Sequence, residues 1–236
     1  MLNGNPASAG ITARLFDIYD RFHAAYGPQN WWPGDGPFEV IAGAILTQSA
    51  AWTNVEMALK NMRAAGCWSF EAVHRTPEAE LAQLVRSSGY FNAKARKLKA
   101  FADHVMANYQ GNLDRFLSEP QGPLRDELLS IHGIGEETAD DIMVYAAGQA
   151  SFVIDTYTRR IMDRMDLTPV AARPKYADYQ AVFHINLPAD TQLFNEFHAL
   201  WDRHAKEACT KTSPRCQGCC LLDICPTGAS RPQAEG

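Results

Sequence analysis

Residues 129–160 read LSIHGIGEETADDIMVYAAGQASFVIDTYTRR, and this stretch decides the expected fold. Gly133, Ile134 and Gly135 form a glycine hairpin between two segments with helical hydrophobic spacing. Glycine tolerates a positive φ and lets another molecule approach the backbone closely. Both glycines are therefore candidates for a phosphate contact through backbone N–H groups, aided by the dipole of the following helix. A plain turn between two helices is the alternative.

Asp155 follows Gly135 by twenty residues and precedes TYTRR, the predicted start of another helix. Aspartate is a favoured helix N-cap, so a purely structural role is one interpretation. A carboxylate at this place could also stabilise an oxocarbenium-like sugar or activate water. The two roles are compatible, and the residues alone leave both open.

Helical patterning continues through the rest of the chain. Apolar residues recur at helical spacing at Ile11, Leu15, Ile18 and Phe22, and no segment alternates with period two. The predicted fold class is therefore all-α. Helices are expected over roughly 11–26, 38–47, 52–65, 77–86, 93–108, 123–131, 136–147, 155–163, 176–185 and 190–208.

The composition is that of a globular chain of 236 residues, of which 46% are hydrophobic. No apolar run reaches the length of a membrane span, and the N-terminus has no basic segment followed by an apolar one, so we expect a cytoplasmic protein without a membrane partner. The net charge of −5 argues weakly against nucleic acid, but a local basic patch is sufficient. Candidate patches of Lys and Arg lie within 94–99, 159–164 and 203–215.

Four of the six cysteines lie close together near the C-terminus with the spacing C-x6-C-x2-C-x5-C: Cys209, Cys216, Cys219 and Cys225. In a reducing compartment such a group indicates a metal or cluster site rather than disulfides. Four thiolates suit either zinc or an iron–sulfur cluster. Zinc sites usually contain two C-x2-C pairs, and only one is present, so we expect a [4Fe-4S] cluster with a structural role. Cys220 is expected to be a spare thiol.

These motifs together resemble the endonuclease III superfamily of helix-hairpin-helix DNA glycosylases along nearly the whole chain. The similar segments are PFEVIAGAILTQ (37–48), GYFNAKARKL (89–98), IHGIGEETA (131–139), VIDTYTRR (153–160) and the cysteine loop. The resemblance implies two helical lobes with a DNA cleft between them. One would be a six-helix barrel with the hairpin over residues 34–148, and the other an iron–sulfur domain built from 1–33 and 149–236.

The resemblance also implies a partner, which would be double-stranded DNA containing a damaged base that is flipped out of the helix. The protein would act as a monomer, associated with the nucleoid in a prokaryote. By position, Gln48 matches the glutamine that fills the vacated space, and the wedge loop contains Tyr90 and Asn92. The expected DNA contacts are Gln48, Tyr90, Asn92, Gly133, Gly135 and Thr138.

Glu137 occupies the position at which strand-cleaving members of the family carry a lysine. That amine forms a Schiff base with the sugar, which a carboxylate cannot do. The resemblance therefore implies a monofunctional enzyme in which Asp155 assists departure of the base and water completes the hydrolysis.

A tryptophan segment suggests the substrate. Trp31-Trp32-Pro33, with Trp52 after Gln48, resembles the 3-methyladenine DNA glycosylase III branch, which also carries glutamate at the lysine position. Aromatic walls suit electron-poor alkylated purines. Trp31, Trp32, Trp52 and Lys206 are therefore candidate pocket residues, with core packing and a solvated lysine as the alternatives.

Two other functions stay open at this point. One is a bifunctional glycosylase and abasic-site lyase that acts on oxidised pyrimidines through another lysine. The other is a non-catalytic protein that binds damaged DNA and uses the cluster only for structure.

Overall fold

The computed structural model describes residues 6–230, and all regular structure in that range is helical, which confirms the all-α prediction. The ends of the predicted iron–sulfur domain, residues 1–5 and 231–236, lie outside the described residues. The α-helices of the described range are α1 (Pro6–Tyr26), α2 (Pro37–Leu46), α3 (Trp52–Ala64), α4 (Phe70–Arg75), α5 (Glu78–Leu84), α6 (Phe91–Tyr109), α7 (Leu113–Leu117), α8 (Gln121–Ser130), α9 (Glu136–Asp141), α10 (Thr156–Arg164), α11 (Tyr176–Asn186), α12 (Thr191–Glu207) and α13 (Pro226–Ala229). Within that range no helix is long and apolar enough to cross a membrane.

Contacts divide the chain into two compact units. The central unit is Trp32–Gln149 and contains α2 to α9. The terminal unit combines the residues up to Trp31 with those from Ala150 onward, and contains α1 and α10 to α13.

The core of the central unit is built around α2. Apart from Glu39 in its first turn, its sequence PFEVIAGAIL is apolar, and the residues from Val40 to Leu46 are all buried. A helix that is hydrophobic all round has no solvent face and must lie inside its domain. Pro37 stands in the first turn, where its missing N–H costs no hydrogen bond.

The hairpin joins α8 to α9 through residues 131–135 of the central unit. Gly133 has a φ of 88°, and a Cβ at this position would lie 2.2 Å from Cγ of Lys97. Only glycine meets both conditions without strain. Gly135 instead has a φ of −96° and is the N-cap of α9, so of the two hairpin glycines only Gly133 uses a positive φ. An N-cap is normally extended, which any residue can adopt.

The terminal unit has an aromatic core that α12 shares with α1 and α11. The rings of Phe152 and Phe183 stack with centroids 3.6 Å apart, and Trp201 packs edge-on against Phe22 and Phe183. Asp190 caps α12 by accepting from the backbone N–H groups of residues 192 and 193. This packing fixes the face that α12 presents to α10.

Candidate functional site

Asp155 is the N-cap of α10 in the terminal unit. Its Oδ1 accepts a hydrogen bond from the backbone N–H of Thr158 at 2.6 Å. Its Oδ2 lies 4.0 Å from Nε2 of His198 on α12, and the Asp155 side chain is 16% exposed. One carboxylate oxygen therefore caps the N-terminus of α10, while the other faces His198. No sequence motif pointed to this histidine.

His198, Asp202 and Lys206 follow one another at four-residue spacing along α12, so they share one face of the helix. Lys206 Nζ lies 2.8 Å from Asp202 Oδ2. Burial lowers the pKa of His198, because the imidazolium loses its hydration, and burial raises the pKa of Asp202 for the same reason. Polar residues at i, i+4 and i+8 on a helix with an otherwise apolar face were the available sequence signal for this group.

Trp31 completes this group within the terminal unit. Its ring lies edge-to-face with His198 at a centroid distance of 6.1 Å, and its carbonyl accepts from Asn195 Nδ2 at 2.8 Å. The Lys206 ammonium lies 5.9 Å from the ring centroid of Trp31 and 5.9 Å from that of Tyr157. The structure therefore brings together three of the predicted residues, Asp155, Trp31 and Lys206.

Trp32 and Trp52 form a separate pair in the central unit. Their rings are edge-to-face at 5.4 Å, and Trp32 makes a similar contact with Tyr145 at 5.3 Å. A Cβ on Gly43 would meet the Trp32 ring at 3.3 Å, so the glycine makes room for the indole. Adjacent tryptophans thus belong to different units, since the chain passes from one unit to the other between Trp31 and Trp32.

Gln48 follows α2 and is tied to the hairpin of the central unit. Its amide donates to the carbonyl of Gly133 at 3.2 Å and to Thr138 Oγ1 at 2.9 Å, and its oxygen accepts from the Lys97 ammonium. Thr138, which we predicted as a DNA contact, is only 5% exposed, and its hydroxyl accepts from Gln48. These bonds connect Gln48, Gly133 and Thr138, while Gly135 stays exposed at the start of α9.

The predicted wedge loop begins α6 in the central unit. Tyr90 is 76% exposed and adopts a φ of 44°, and Asn92 is also exposed. Lys94, in contrast, is buried and donates to the carbonyls of Leu46 at 2.7 Å and Ser88 at 2.6 Å. Its burial lowers the pKa to about 8. The assignment of Lys94 to a basic surface patch is therefore wrong, because its ammonium satisfies two interior carbonyls.

Two arginines of the second predicted patch hold the cysteine loop. Arg160 Nε donates to the carbonyl of Cys209 at 3.0 Å, and Arg164 Nη1 donates to the carbonyl of Thr210 at 2.8 Å and to Cys209 Sγ at 3.1 Å. The planar guanidinium fork can satisfy several acceptors of an irregular loop at once. In the described structure these two side chains of the candidate patch therefore bind the backbone of the cysteine loop.

The four clustered cysteines line one small cavity of about 30 Å³ in the terminal unit. All are reduced, and backbone N–H groups point at two of their sulfurs, from Leu221 to Cys219 at 3.4 Å and from Gly228 to Cys225 at 3.3 Å. N–H donors of this kind stabilise thiolate ligands. Cys220 is outside the described lining of this cavity. In residues 6–230, no three Cys, His or acidic side chains are arranged to hold a single metal ion.

Comparison with known proteins assigns the family. Residues 42–182 match the description "HhH-GPD superfamily base excision DNA repair protein". The chain belongs to this superfamily. A protein of Methanocaldococcus jannaschii that carries the name of a DNA repair glycosylase is 37% identical over 213 residues, which is 89% of this chain and 95% of that protein. The endonuclease III of Sulfolobus acidocaldarius is 26% identical over 189 residues, covering 80% of this chain and 81% of the relative.

Solved structures of the superfamily have the same fold. An endonuclease III trapped as a covalent intermediate with DNA superposes with a TM-score of 0.79 at 20% identity, covering 92% of this chain and 97% of that one. A 3-methyladenine DNA glycosylase of H. pylori (MagIII) bound to 1,N6-ethenoadenine gives a TM-score of 0.70 at 25% identity, covering 85% and 97%. The resemblance to the endonuclease III superfamily is confirmed.

Proposed function

We propose that this HhH-GPD protein is a monofunctional DNA glycosylase that hydrolyses the N-glycosidic bond of flipped alkylated purines such as 3-methyladenine. The observation that carries the proposal is the pairing of Asp155 with Trp31, which both contact His198 in the terminal unit. A carboxylate and an indole beside the same imidazole supply an anion for a sugar cation and a stacking surface for a base.

The chemistry assigned to Asp155 is stabilisation of positive charge. As the bond between C1′ and the base nitrogen breaks, the electron pair leaves with the base and the sugar becomes oxocarbenium-like. The anionic carboxylate stabilises that charge and accepts a proton from the water that adds to C1′. An N-alkylated purine that starts as a cation leaves as a neutral base, so its departure needs no general acid.

The aromatic residues favour a cationic or electron-poor base. The Lys206 ammonium makes a cation–π contact with the ring of Trp31. A cationic methylated purine could make the same kind of contact with this ring. The relative MagIII was solved with 1,N6-ethenoadenine bound. In the central unit, the edge-to-face pair of Trp32 and Trp52 is proposed as a further aromatic surface for a substrate base.

Glu137 supports the monofunctional assignment. It is exposed in the first turn of α9. The resemblance to the family implies that strand-cleaving members carry a reactive lysine at this position. Borohydride trapping on methylated DNA tests the assignment, with Glu137→Lys as the matched variant. The wild type is expected to give no covalent adduct, whereas a wild-type adduct would support the bifunctional lyase instead.

Double-stranded DNA is the proposed partner, bound by a monomer in the cytoplasm or on the nucleoid. Gly133 and Gly135 would place backbone N–H groups and the start of α9 at a phosphate, where the helix dipole favours an anion. Tyr90 and Asn92 are exposed at the start of α6, as a wedge requires. Gln48, held on the hairpin by its hydrogen bonds, would enter the space that the flipped base leaves, and Thr138 would support it.

We also propose that Cys209, Cys216, Cys219 and Cys225 hold a [4Fe-4S] cluster. The shared cavity and the N–H donors beside the sulfurs support this set. When bound, the cluster would cross-link the loop from Cys209 to Cys225, and it has no assigned step in the reaction. In this proposal the central unit is the hairpin domain, and the terminal unit is the cluster domain.

The function is tested by incubating the purified protein with methylated genomic DNA and identifying the bases released. Release of 3-methyladenine is expected. Release only of oxidised pyrimidines from oxidised DNA would favour the endonuclease III-type activity, and no release from either DNA would favour the damage-binding protein.

A further inference from the structure

His198 lies beside the carboxylate that we propose as the catalytic group. Its Nε2 is 4.0 Å from Asp155 Oδ2, and the histidine is 5% exposed. That distance is too long for a direct hydrogen bond, but two charges this close in a buried site are strongly coupled. The protonation state of His198 therefore determines how strongly the Asp155 carboxylate can stabilise a sugar cation.

Two charged neighbours on α12 act on that charge. Asp202 lies one turn after His198, and Lys206 pairs with Asp202 at 2.8 Å. A nearby anion favours the imidazolium and a nearby cation disfavours it. Asp155 and Asp202 accordingly raise the pKa of His198, whereas Lys206 lowers it together with burial, which is the largest effect.

The other elements packed on α12 direct their titratable groups elsewhere. From α1, Tyr19 packs edge-on against Phe197 and Tyr26 bonds to His204 Nδ1 at 2.9 Å. From α11, His184 stacks on Phe194. Trp31, which packs against the imidazole, carries no titratable group. Asp155 at the start of α10, and Asp202 and Lys206 on α12 itself, act on the charge of His198.

We propose that His198 is a positioning residue that must be neutral for Asp155 to stabilise the sugar cation, and that its burial and the Lys206 ammonium keep it neutral against the two aspartates. The inference rests on the glycosylase function proposed above. A neutral imidazole leaves the charge of Asp155 available at C1′. A protonated His198 would form an ion pair with Asp155 and withdraw that charge, so base release should fall as His198 becomes protonated.

The pH profile of single-turnover base release from methylated genomic DNA tests this role. Asp202→Asn removes an anion, lowers the pKa of His198 and should move the acid limb to lower pH. Lys206→Met removes a cation and should move the limb to higher pH. Each shift is expected to be about half a pH unit or more. Lys206→Arg, which keeps the cation, should keep the wild-type limb.

If Asp202 and Lys206 had only a structural role, both substitutions would lower the rate at every pH. They would not shift the acid limb in opposite directions. If the wild type releases the base but the acid limbs of the two variants stay in place or move in the same direction, the role of His198 is refuted and the proposed function is not. A wild type that releases nothing would overturn the proposed function, and this inference with it. Histidine NMR of the DNA-free protein tests the protonation without activity. A His198 that titrates at or above the usual histidine pKa in the wild type would also refute the proposal.

Discussion

Replacing Gly133 by alanine should destabilise the protein through two effects, a strained backbone φ and a displaced Lys97 side chain. An L-residue at a φ of 88° costs about 1–2 kcal/mol. The new Cβ would lie 2.2 Å from Lys97 Cγ, so Lys97 must move and lose its hydrogen bond to Gln48. That loss costs about 1–2 kcal/mol, and the expected total is about 2–4 kcal/mol.

Gly135→Ser is the matched control for this prediction. Gly135 has an ordinary φ of −96°, and a Cβ there would have nothing within 4 Å among the described residues. Serine is also a favoured N-cap, so the free energy of unfolding should stay within about 0.5 kcal/mol of the wild type. Urea denaturation followed by circular dichroism measures both variants. Equal stability of the Gly133 and Gly135 variants would refute the reasoning.

Two further predictions concern the cysteine loop and a buried lysine. Cys216→Ser should abolish the visible absorption of the cluster and lower stability, whereas Cys220→Ser should preserve both; a colourless, zinc-containing wild type would contradict the cluster assignment. Lys94 has a pKa of about 8 when folded and about 10.4 when unfolded, so the unfolded chain binds more protons between these values and the contribution of Lys94 to stability rises with pH across that window. Lys94→Met should remove that rise. Urea unfolding of the wild type and the variant at about pH 8 and about pH 9.5 checks this, because the difference in free energy of unfolding between the two proteins should change with pH.

The long helices were predictable because their hydrophobic pattern repeats. For α2, α3 and α12, the expected ends lie within one or two residues of the observed ones. The short helices α4 and α7 have six and five residues, too few for a period of 3.6 to repeat. Their available signals were the caps, Ser69 and Asn112, whose side chains accept from the first turn.

Some features of the central unit have no signal in the sequence. The π-helix Ile142–Ala146 continues directly from α9, and its five residues differ from an ordinary helix only in hydrogen bonding. Nothing in the basic run at 94–99 indicates that Lys94 is buried. Its burial depends on the carbonyls of Leu46 and Ser88, which only the folded structure brings to its ammonium. Similarity to the family located Asp155, but it could not indicate which groups on α12 face it.

The candidate site was predictable only as far as its residues belong to motifs. Asp155 and the four cysteines stand in recognisable patterns, and the structure gathers the cysteines around one cavity. His198 and Asp202 lie inside a helix with no motif, where a polar residue on an apolar face is most often satisfied within the core. Their position beside Asp155 follows from the packing of α12 against the start of α10, which no motif indicates.

Identification of the bases released from methylated genomic DNA tests the glycosylase assignment most directly, if the wild type is compared with Asp155→Asn. The amide oxygen of asparagine can still accept from the Thr158 N–H, so the variant should fold and bind DNA like the wild type. The wild type is expected to release 3-methyladenine and the variant none. Release at the wild-type rate by Asp155→Asn, or no release by the wild type, would contradict the assignment.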